Sequence, residues 1–252
     1  MLLILSIQYS FFKLQEEASP AIKVESGFLN SFVSFISMST GETADKKPRT
    51  PEEEESVEEA SKCVKDCNID SLISESKFLQ LESLQQLVKN AILNSNLESL
   101  KYQEPIVNSE TSSRATSPTI ETEEEETKDE AMAIFYLELL VRVTIQNKDR
   151  VADIWPSIAD HMTKLITIAS ETVQKRPFLL ERAVNGLLRM AVRLARKEEL
   201  ASLVVQSLGI LETLDTQAMF QVARHVAFGL YELLRNNAAN IHETEDWNII
   251  FR

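Results

Sequence analysis

From residue 129 onwards the chain carries an almost continuous helical pattern of apolar positions. Apolar residues recur every three or four positions, which is the period of an amphipathic α-helix. Pro156 and Pro177 fit the first position of a helix, and Asp215 and Thr244 can cap helix starts. The predicted helices cover Ala131–Gln146, Trp155–Ser170, Pro177–Arg196, Glu198–Leu214 and Thr216–Arg235, and a last helix begins at Thr244.

These helices form pairs that begin near Ala131, Pro177 and Thr216. A spacing of roughly 40–47 residues is typical of HEAT and armadillo repeats. A single pair cannot bury its apolar face, so neighbouring pairs stack. The pattern therefore predicts an all-α, HEAT/armadillo-like α-solenoid. We expect Trp155 and Trp247 to anchor helix starts, and the isolated glycines 186, 209 and 229 to mark close helix contacts.

Upstream of residue 129 the pattern is broken by polar, acidic stretches. Residues 76–94 carry an apolar stripe that includes Phe78, Leu84 and Val88, whereas residues 103–128 are rich in Ser, Thr and Glu and have no periodicity. A composition of the latter kind is typical of disorder. The predicted organisation is the end of an upstream helical region (1–40), an acidic linker (41–51), a helical segment (52–102), a disordered acidic linker (103–128) and helical repeats cut short at their C-terminus (129–252).

The two linkers carry nearly all of the excess negative charge. The chain has a formal net charge of -13; residues 41–59 contribute 3 - 8 = -5 and residues 103–130 contribute 2 - 9 = -7. Because nucleic-acid binding needs a cationic surface, this balance argues against a nucleic-acid partner.

Few residues point to chemistry. The three histidines, His161, His225 and His242, lie outside catalytic and metal motifs, and Cys63 and Cys67 are four residues apart without a second ligand pair. The two cysteines are either a zinc half-site or a small apolar pair, and the absence of a disulfide pattern fits a reducing cytosol. The apolar start of the chain is too short to span a bilayer. We therefore expect no enzyme activity and no cofactor.

Residues 28–38, with the sequence FLNSFVSFISM, predict a helix with one bulky apolar face and one uncharged serine face. Such a helix is typical of sensors of loosely packed membranes, where apolar insertion supplies the affinity. The alternative is that the apolar face packs on an upstream repeat. The candidate membrane-contact residues are Phe28, Leu29, Phe32, Val33, Phe35 and Ile36.

A second candidate surface lies on the predicted helix 177–196. Arg182, Arg189, Arg193 and Arg196 fall on one narrow stripe. They are candidates for holding anionic lipid headgroups or an acidic partner. The alternative is a solvated stripe whose field is weakened by Glu198 and Glu199.

Four segments together carry a family resemblance: KFLQLESLQQLVKN (77–90), NKDRVADIWPSIADHM (147–162), RAVNGLLRMAVRLARKEEL (182–200) and YELLRNNAANIHETEDW (231–247). They resemble the Golgi-type, brefeldin A-resistant large ARF guanine-nucleotide exchange factors, in the helical homology regions downstream of the catalytic domain. A weaker likeness covers SFVSFISMSTGE and CVKDCNIDSLISESKF, so it extends over most of the chain from Phe28.

The resemblance implies a role in loading GTP onto ARF GTPases in early Golgi traffic, which recruits the COPI coat. The family's acidic catalytic finger has no counterpart among these segments, so no catalytic residue is carried over. The chain is expected to be a regulatory and membrane-targeting fragment, either a natural isoform or a partial gene product, that is cytoplasmic and peripheral on Golgi and ER–Golgi membranes. Its expected partners are Golgi membrane lipids, ARF through the parent protein, and proteins on the solenoid surface. The alternative function is a protein-binding HEAT-type scaffold with no membrane contact.

Overall fold

The structure, a computed structural model, describes residues 68–95, 97–100 and 120–252, with side chains of the last range described from residue 129 and Pro177 excepted. Every regular element in these ranges is a helix, as the periodicity predicts. The α-helices are α1 (Ile69–Glu75), α2 (Leu81–Asn94), α3 (Leu97–Leu100), α4 (Ile120–Gln146), α5 (Val151–Glu171), α6 (Pro177–Leu194), α7 (Glu198–Ser207), α8 (Thr216–Asn237) and α9 (Thr244–Phe251). Short 3₁₀ helices cover Ser76–Phe78, Leu208–Thr213 and Ala238–Asn240.

Two of the predicted start signals act as expected. Pro177 occupies the start of α6. The Asp215 carboxylate accepts a hydrogen bond of 2.7 Å from the Ala218 amide, so it caps α8. These residues satisfy or remove amides that have no partner inside the helix.

The other two start signals are wrong. Pro156 lies inside α5, which begins five residues earlier at Val151. The proline removes one intrahelical bond, to the carbonyl of the exposed Ala152, and exposure lets water replace it. At α9 the cap position is Glu243 rather than Thr244, and no side chain caps that helix.

Helix α4 begins at Ile120, inside the stretch predicted to be disordered, and eleven residues before the predicted helix start. The added residues are mostly glutamates, which have good helix propensity and favour a helix N-terminus. Apolar residues at helical spacing begin only where α4 meets the core, so the hydrophobic pattern does not show the first part of this helix. Residues 103–119, like residues 1–67, lie outside the described residues.

The helices pack in two series. In the first, α2 contacts α4, α4 contacts α6 and α6 contacts α8; in the second, α3 contacts α5, α5 contacts α7 and α7 contacts α9. The series meet where α5 and α7 pack on α6. Trp155 on α5 is fully buried, and its indole N–H donates to the hydroxyl of Ser207, the last residue of α7, at 3.2 Å. The burial predicted for Trp155 is confirmed, but Trp155 is the fifth residue of α5 rather than its start.

Polar side chains join one helix pair to the preceding one at the turns. The Asn147 side-chain amide donates to the Ser76 hydroxyl at 2.8 Å, and Arg150 donates to the backbone carbonyls of Ser76, Lys77 and Leu79. Further along, Arg176 donates to the Leu100 carbonyl at 2.6 Å. The arginine bonds add donors to backbone carbonyls at the ends of short helices.

Two of the three isolated glycines mark close helix contacts. A methyl group at Gly186 would lie 3.2 Å from Val141 on α4, and one at Gly229 would lie 2.7 Å from Leu188 on α6. Gly209 has no heavy atom within 4 Å of that position, so the expectation was wrong there. Gly209 lies in a 3₁₀ segment, where the helical spacing used for the prediction does not hold.

Candidate functional site

The α4–α6 contact encloses a buried ion pair. Glu138 of α4 is 9% exposed and Arg189 of α6 is 3% exposed. One guanidinium nitrogen, Nη1 of Arg189, lies 2.9 Å from each carboxylate oxygen of Glu138. Such a pair is favourable only with good geometry, because both charges leave water.

Two further arginines surround the same carboxylate. Burial opposes ionisation of Glu138, but the positive charges of Arg189, Arg182 and Arg142 outweigh it, so the pKa of Glu138 lies below its usual value. Burial lowers the pKa values of Arg142 and Arg182, and the Glu138 charge opposes that shift. Arg142 also lies 3.9 Å from the Asp70 carboxylate of α1. The cluster therefore links α1, α4 and α6 through charge.

This geometry divides the predicted arginine stripe. Arg189 is buried, Arg182 and Arg193 are partly buried, and Arg196 is exposed. The expected solvent-facing stripe is corrected for Arg189, because it faces α4 rather than water. A helical projection of α6 alone cannot show this, since the face opposite the apolar side is also covered by a neighbour. Binding of anionic groups at the other three positions stays a prediction.

The α6–α8 contact uses mostly neutral groups. The Gln221 amide donates to the Glu181 carboxylate at 2.7 Å. One turn further along α8, His225 lies in the same contact, and burial lowers its pKa; Glu181 opposes this shift, whereas Arg182 and Arg224 reinforce it. The imidazole is therefore neutral at pH 7.

Two asparagines hold the C-terminal end of α6: one is the last residue of α8, and the other lies three residues after it. The Asn237 amide donates to the Val192 carbonyl at 3.1 Å, and the Asn240 amide donates to the carbonyls of Ala195 at 2.9 Å and Arg196 at 3.1 Å. His242 lies 3.0 Å from the Glu198 carboxylate nearby. The NNAANIH stretch quoted for the family resemblance is thus a clamp on the end of α6.

The histidines take structural positions. His161 is 2% exposed in the core face of α5, and burial lowers its pKa to about 4. Among the described residues, no group of three or more His, Cys, Asp or Glu side chains is arranged to hold a metal ion. Cys63 and Cys67 lie outside the described residues.

The candidate membrane-contact residues Phe28, Leu29, Phe32, Val33, Phe35 and Ile36 also lie outside the described residues, so their role stays a prediction. In the part of the chain that the structure describes, no helix is long and apolar enough to cross a bilayer.

Curated proteins align with nearly the whole chain. A Golgi-specific brefeldin A-resistance guanine nucleotide exchange factor 1 homolog of Caenorhabditis elegans is 34% identical over 241 residues, or 95% of this chain. The chain belongs to the family of large ARF guanine-nucleotide exchange factors. Two Arabidopsis thaliana relatives, the ARF guanine-nucleotide exchange factors GNL1 and GNOM, are 32% and 30% identical, each over 94% of the chain.

The chain spans only 11–14% of the length of these exchange factors. No family model matches it. No solved structure matches it either. The family assignment therefore rests on whole-chain sequence identity to a short part of much longer proteins.

Sequence reasoning missed Glu138 as the partner of the arginine stripe. The available signal was a single glutamate inside the otherwise apolar run AIFYLELLV. A charged residue on the buried face of a helix needs a partner of opposite charge. Only the packing of α4 on α6 identifies that partner as Arg189.

Proposed function

We propose that this chain is a non-catalytic regulatory and membrane-targeting segment of an ARF guanine-nucleotide exchange factor that acts in early Golgi traffic and COPI recruitment. The observation that carries the proposal is the 34% identity, over 95% of the chain, to a Golgi-specific brefeldin A-resistance exchange factor homologue. In this proposal the segment lies downstream of the catalytic domain. Its parent contacts ARF, and the chain itself works in the cytoplasm on the surface of Golgi and ER–Golgi membranes.

We also propose that residues 129–252 are HEAT-like repeats. Contacts between successive pairs support this: Gly186 of α6 meets α4, and Gly229 of α8 meets α6 forty-three residues later. In both contacts the helices run in the same direction: Glu130 and Glu138 of α4 meet Leu179 and Arg189 of α6, and Glu181 and Val192 of α6 meet Gln221 and Asn237 of α8. Stacking of similar pairs in one direction produces a solenoid.

The membrane part of the proposal rests on residues 28–38. Their three phenylalanines and three aliphatic side chains lie on one face of a helical projection, with Asn30, Ser31, Ser34 and Ser37 opposite. A buried phenylalanine contributes roughly 1.5–3 kcal/mol, so several inserted side chains support reversible binding without charge attraction.

An exchange assay tests the non-catalytic part. ARF carrying a fluorescent guanine nucleotide is mixed with the purified chain, and release is followed against the intrinsic rate. EDTA-accelerated release is the positive control. We expect no acceleration by the chain. A rate that rises with chain concentration would refute the non-catalytic assignment.

Flotation with liposomes rich in packing defects tests the targeting part. We expect the wild-type chain to float, and Phe32→Asp with Phe35→Asp to stay in the soluble fraction. The matched control is Ser31→Asp with Ser34→Asp, which adds the same charge on the polar face and should still float. Equal loss in both double variants would show a general charge effect and contradict insertion of the apolar face.

A protein-binding scaffold is the second candidate function. Exposed aromatic side chains on α8 favour it, because Phe220 is 86% exposed and Tyr231 is 58% exposed. Large exposed apolar side chains that share one face are typical of interaction surfaces.

A further inference from the structure

Three turns lie side by side at one end of the helices. They are residues 76–80 between α1 and α2, residues 147–150 between α4 and α5, and residues 195–197 between α6 and α7. Arg150 of the second turn donates to three backbone carbonyls of the first, and Lys197 of the third pairs with Asp149 of the second. Neighbouring helices pack about 8–10 Å apart, so the row is about 20 Å long. We call these three turns the turn edge.

The first turn of the edge holds apolar side chains in solvent. Phe78 is 78% exposed and Leu79 is 37% exposed. Their backbone is fixed by the buried Ser76, whose hydroxyl donates to the Ile73 carbonyl at 2.7 Å and accepts from the Asn147 amide at 2.8 Å. A turn that is already rigid loses little conformational entropy when another surface covers it. Phe78 and Leu79 therefore form a preorganised apolar tip.

The position of the tip differs from that of an open stacking face. Each helix pair stacks through the sides of its helices, as α1 and α2 do against α4. A preceding pair would likewise cover the sides of α1 and α2. Residues 76–80 lie at the ends of these helices, beside the turns of the following pairs, so they belong to the edge of the stack.

The turn edge is basic. Its three turns carry five basic residues and one acidic residue, a formal charge of 5 - 1 = +4. The side chain of Arg150 bonds the backbone carbonyls and the Asn147 amide oxygen, which are neutral and leave its charge in place. The Lys77 ammonium lies 4.8 Å from the centre of the Phe78 ring, so positive charge adjoins the apolar tip. The five basic residues are Lys77, Lys148, Arg150, Arg196 and Lys197.

Carboxylates in the flanking helices limit the positive field. Glu75 ends α1, and Glu82 and Asp153 lie in the first turns of α2 and α5. Glu198, which begins α7, lies 3.0 Å from His242. Charge attraction at the turn edge is therefore modest, and burial of Phe78 has to supply much of any affinity.

We propose that the turn edge binds an anionic membrane surface, with Phe78 and Leu79 inserted below the lipid headgroups and the basic side chains among them. An aromatic tip on a row of turns fits a planar interface, whereas a bound peptide needs a groove or a free strand edge. Apolar insertion and charge attraction together support peripheral binding better than either alone. The inference rests on the proposed membrane-targeting function and adds a surface separate from residues 28–38.

Vesicle sedimentation tests the proposal in a background without the other membrane candidate. The full chain carrying Phe32→Asp with Phe35→Asp is the parent protein. It is mixed with vesicles of phosphatidylcholine alone or of phosphatidylcholine with phosphatidylserine. We expect at least about tenfold stronger binding to the phosphatidylserine vesicles, and the difference should shrink as salt is raised.

Substitutions assign the binding to the turn edge. In the parent protein, Phe78→Ser with Leu79→Ser should weaken binding at least about tenfold, and Lys77→Gln with Lys148→Gln should remove much of its salt dependence. The matched control is Phe220→Ser, which changes an 86% exposed phenylalanine near the start of α8, at the opposite end of the helices, and should leave binding unchanged. Because the substituted side chains are exposed, urea unfolding midpoints should stay near that of the parent.

A fluorescent reporter measures insertion directly. Vesicles whose acyl chains carry bromine quench tryptophans that enter the bilayer. We expect stronger quenching in the Phe78→Trp variant than in the parent, in which Trp155 and Trp247 supply the background. The control variant Phe220→Trp should show no quenching beyond that background.

Three results would each overturn the proposal: no binding to phosphatidylserine vesicles, equal binding of the Phe78/Leu79 and Phe220 variants, or only background quenching in Phe78→Trp. Self-association that is lost in the Phe78/Leu79 variant, without vesicle binding, would reassign the tip to a protein contact. Failure of residues 28–38 to bind would be seen separately, as no flotation of the wild-type chain on neutral liposomes rich in packing defects.

Discussion

The α4–α6 and α6–α8 contacts join neighbouring helices of one series, yet different chemistry holds them. Between α4 and α6 a buried ion pair, Glu138–Arg189, lies among further arginines. Between α6 and α8 a glycine lets Leu188 approach the backbone, and amide side chains bond carbonyls at the end of α6.

The α4–α6 contact depends more on single groups than the α6–α8 contact does. A buried charge without its partner is costly, so the α4–α6 contact depends on both members of the pair and on their register. The α6–α8 contact is distributed over close packing and several hydrogen bonds from amide side chains, most of them to neutral carbonyls and each worth less. We therefore expect substitutions at the first contact to have larger effects than those at the second.

Glu138→Gln should have the largest effect, a loss of about 3–5 kcal/mol in the free energy of unfolding, because Arg189 stays buried without a carboxylate. Urea unfolding followed by circular dichroism measures it. Replacing both partners, Glu138→Leu with Arg189→Met, should recover much of the loss. The control Asp160→Asn breaks an exposed pair with Lys164 and should change stability by less than about 1 kcal/mol. Equal effects at Glu138 and Asp160 would contradict the comparison.

Gly229→Ala should cost about 1–2 kcal/mol, since the new methyl group meets the fully buried Leu188 and the gain in helix propensity offsets only part of the clash. Thermal unfolding of the two proteins measures the difference. Gly209→Ala is the matched control, because nothing lies within 4 Å of its added methyl group. A Gly229 variant as stable as the Gly209 variant would show that α6 and α8 separate without cost.

Asn237→Ala should cost about 1 kcal/mol, because the Val192 carbonyl loses its side-chain donor. Asn236→Ala provides the comparison in chemical denaturation: Asn236 is exposed and its amide bonds Glu232 within α8 itself. If the asparagine clamp matters, the Asn237 variant is the less stable of the two. The reverse order would show that the bond from Asn237 to the Val192 carbonyl does not stabilise the α6–α8 contact.

The smallest effect concerns pH. The folded-state pKa of His225 is below its usual value of 6.5, so the folded chain binds fewer protons than the unfolded chain as pH falls below 6.5. The stability from the neutral imidazole is thus present at pH 7 and is lost on acidification. The folded-state pKa of Glu138 lies below its usual value of 4.5. The stability from its ionised carboxylate is therefore present above pH 4.5 and is lost only as the pH falls below that value.

The variant His225→Gln tests whether His225 causes the loss of stability between pH 7 and lower pH. Unfolding free energies of both proteins are measured between pH 7.5 and 5.5, and the wild-type chain should lose stability more steeply than the variant. His161 titrates in both proteins alike, so its contribution cancels in the comparison. Parallel pH profiles would show that His225 gains a proton without disturbing the α6–α8 contact.

Local signals in the sequence predicted much of the described fold. The hydrophobic period predicted helices where α5, α6 and α8 lie, and Pro177 and Asp215 marked the starts of α6 and α8 because caps and proline act within one turn. The same reasoning failed at Phe78, which is 78% exposed in a 3₁₀ turn, because an apolar side chain at helical spacing need not reach the core.

Local pattern and residue identity are enough to predict the helical class, the positions of the main helices and the family. Amphipathic period, caps and residue identity to relatives are all properties of the chain read in order. Which side chains meet depends on how the helices pack: Arg189 is buried against Glu138, and Gly229 lets Leu188 approach the backbone of α8. Those contacts join residues about 40–50 positions apart, and their geometry is fixed by helix packing rather than by local pattern.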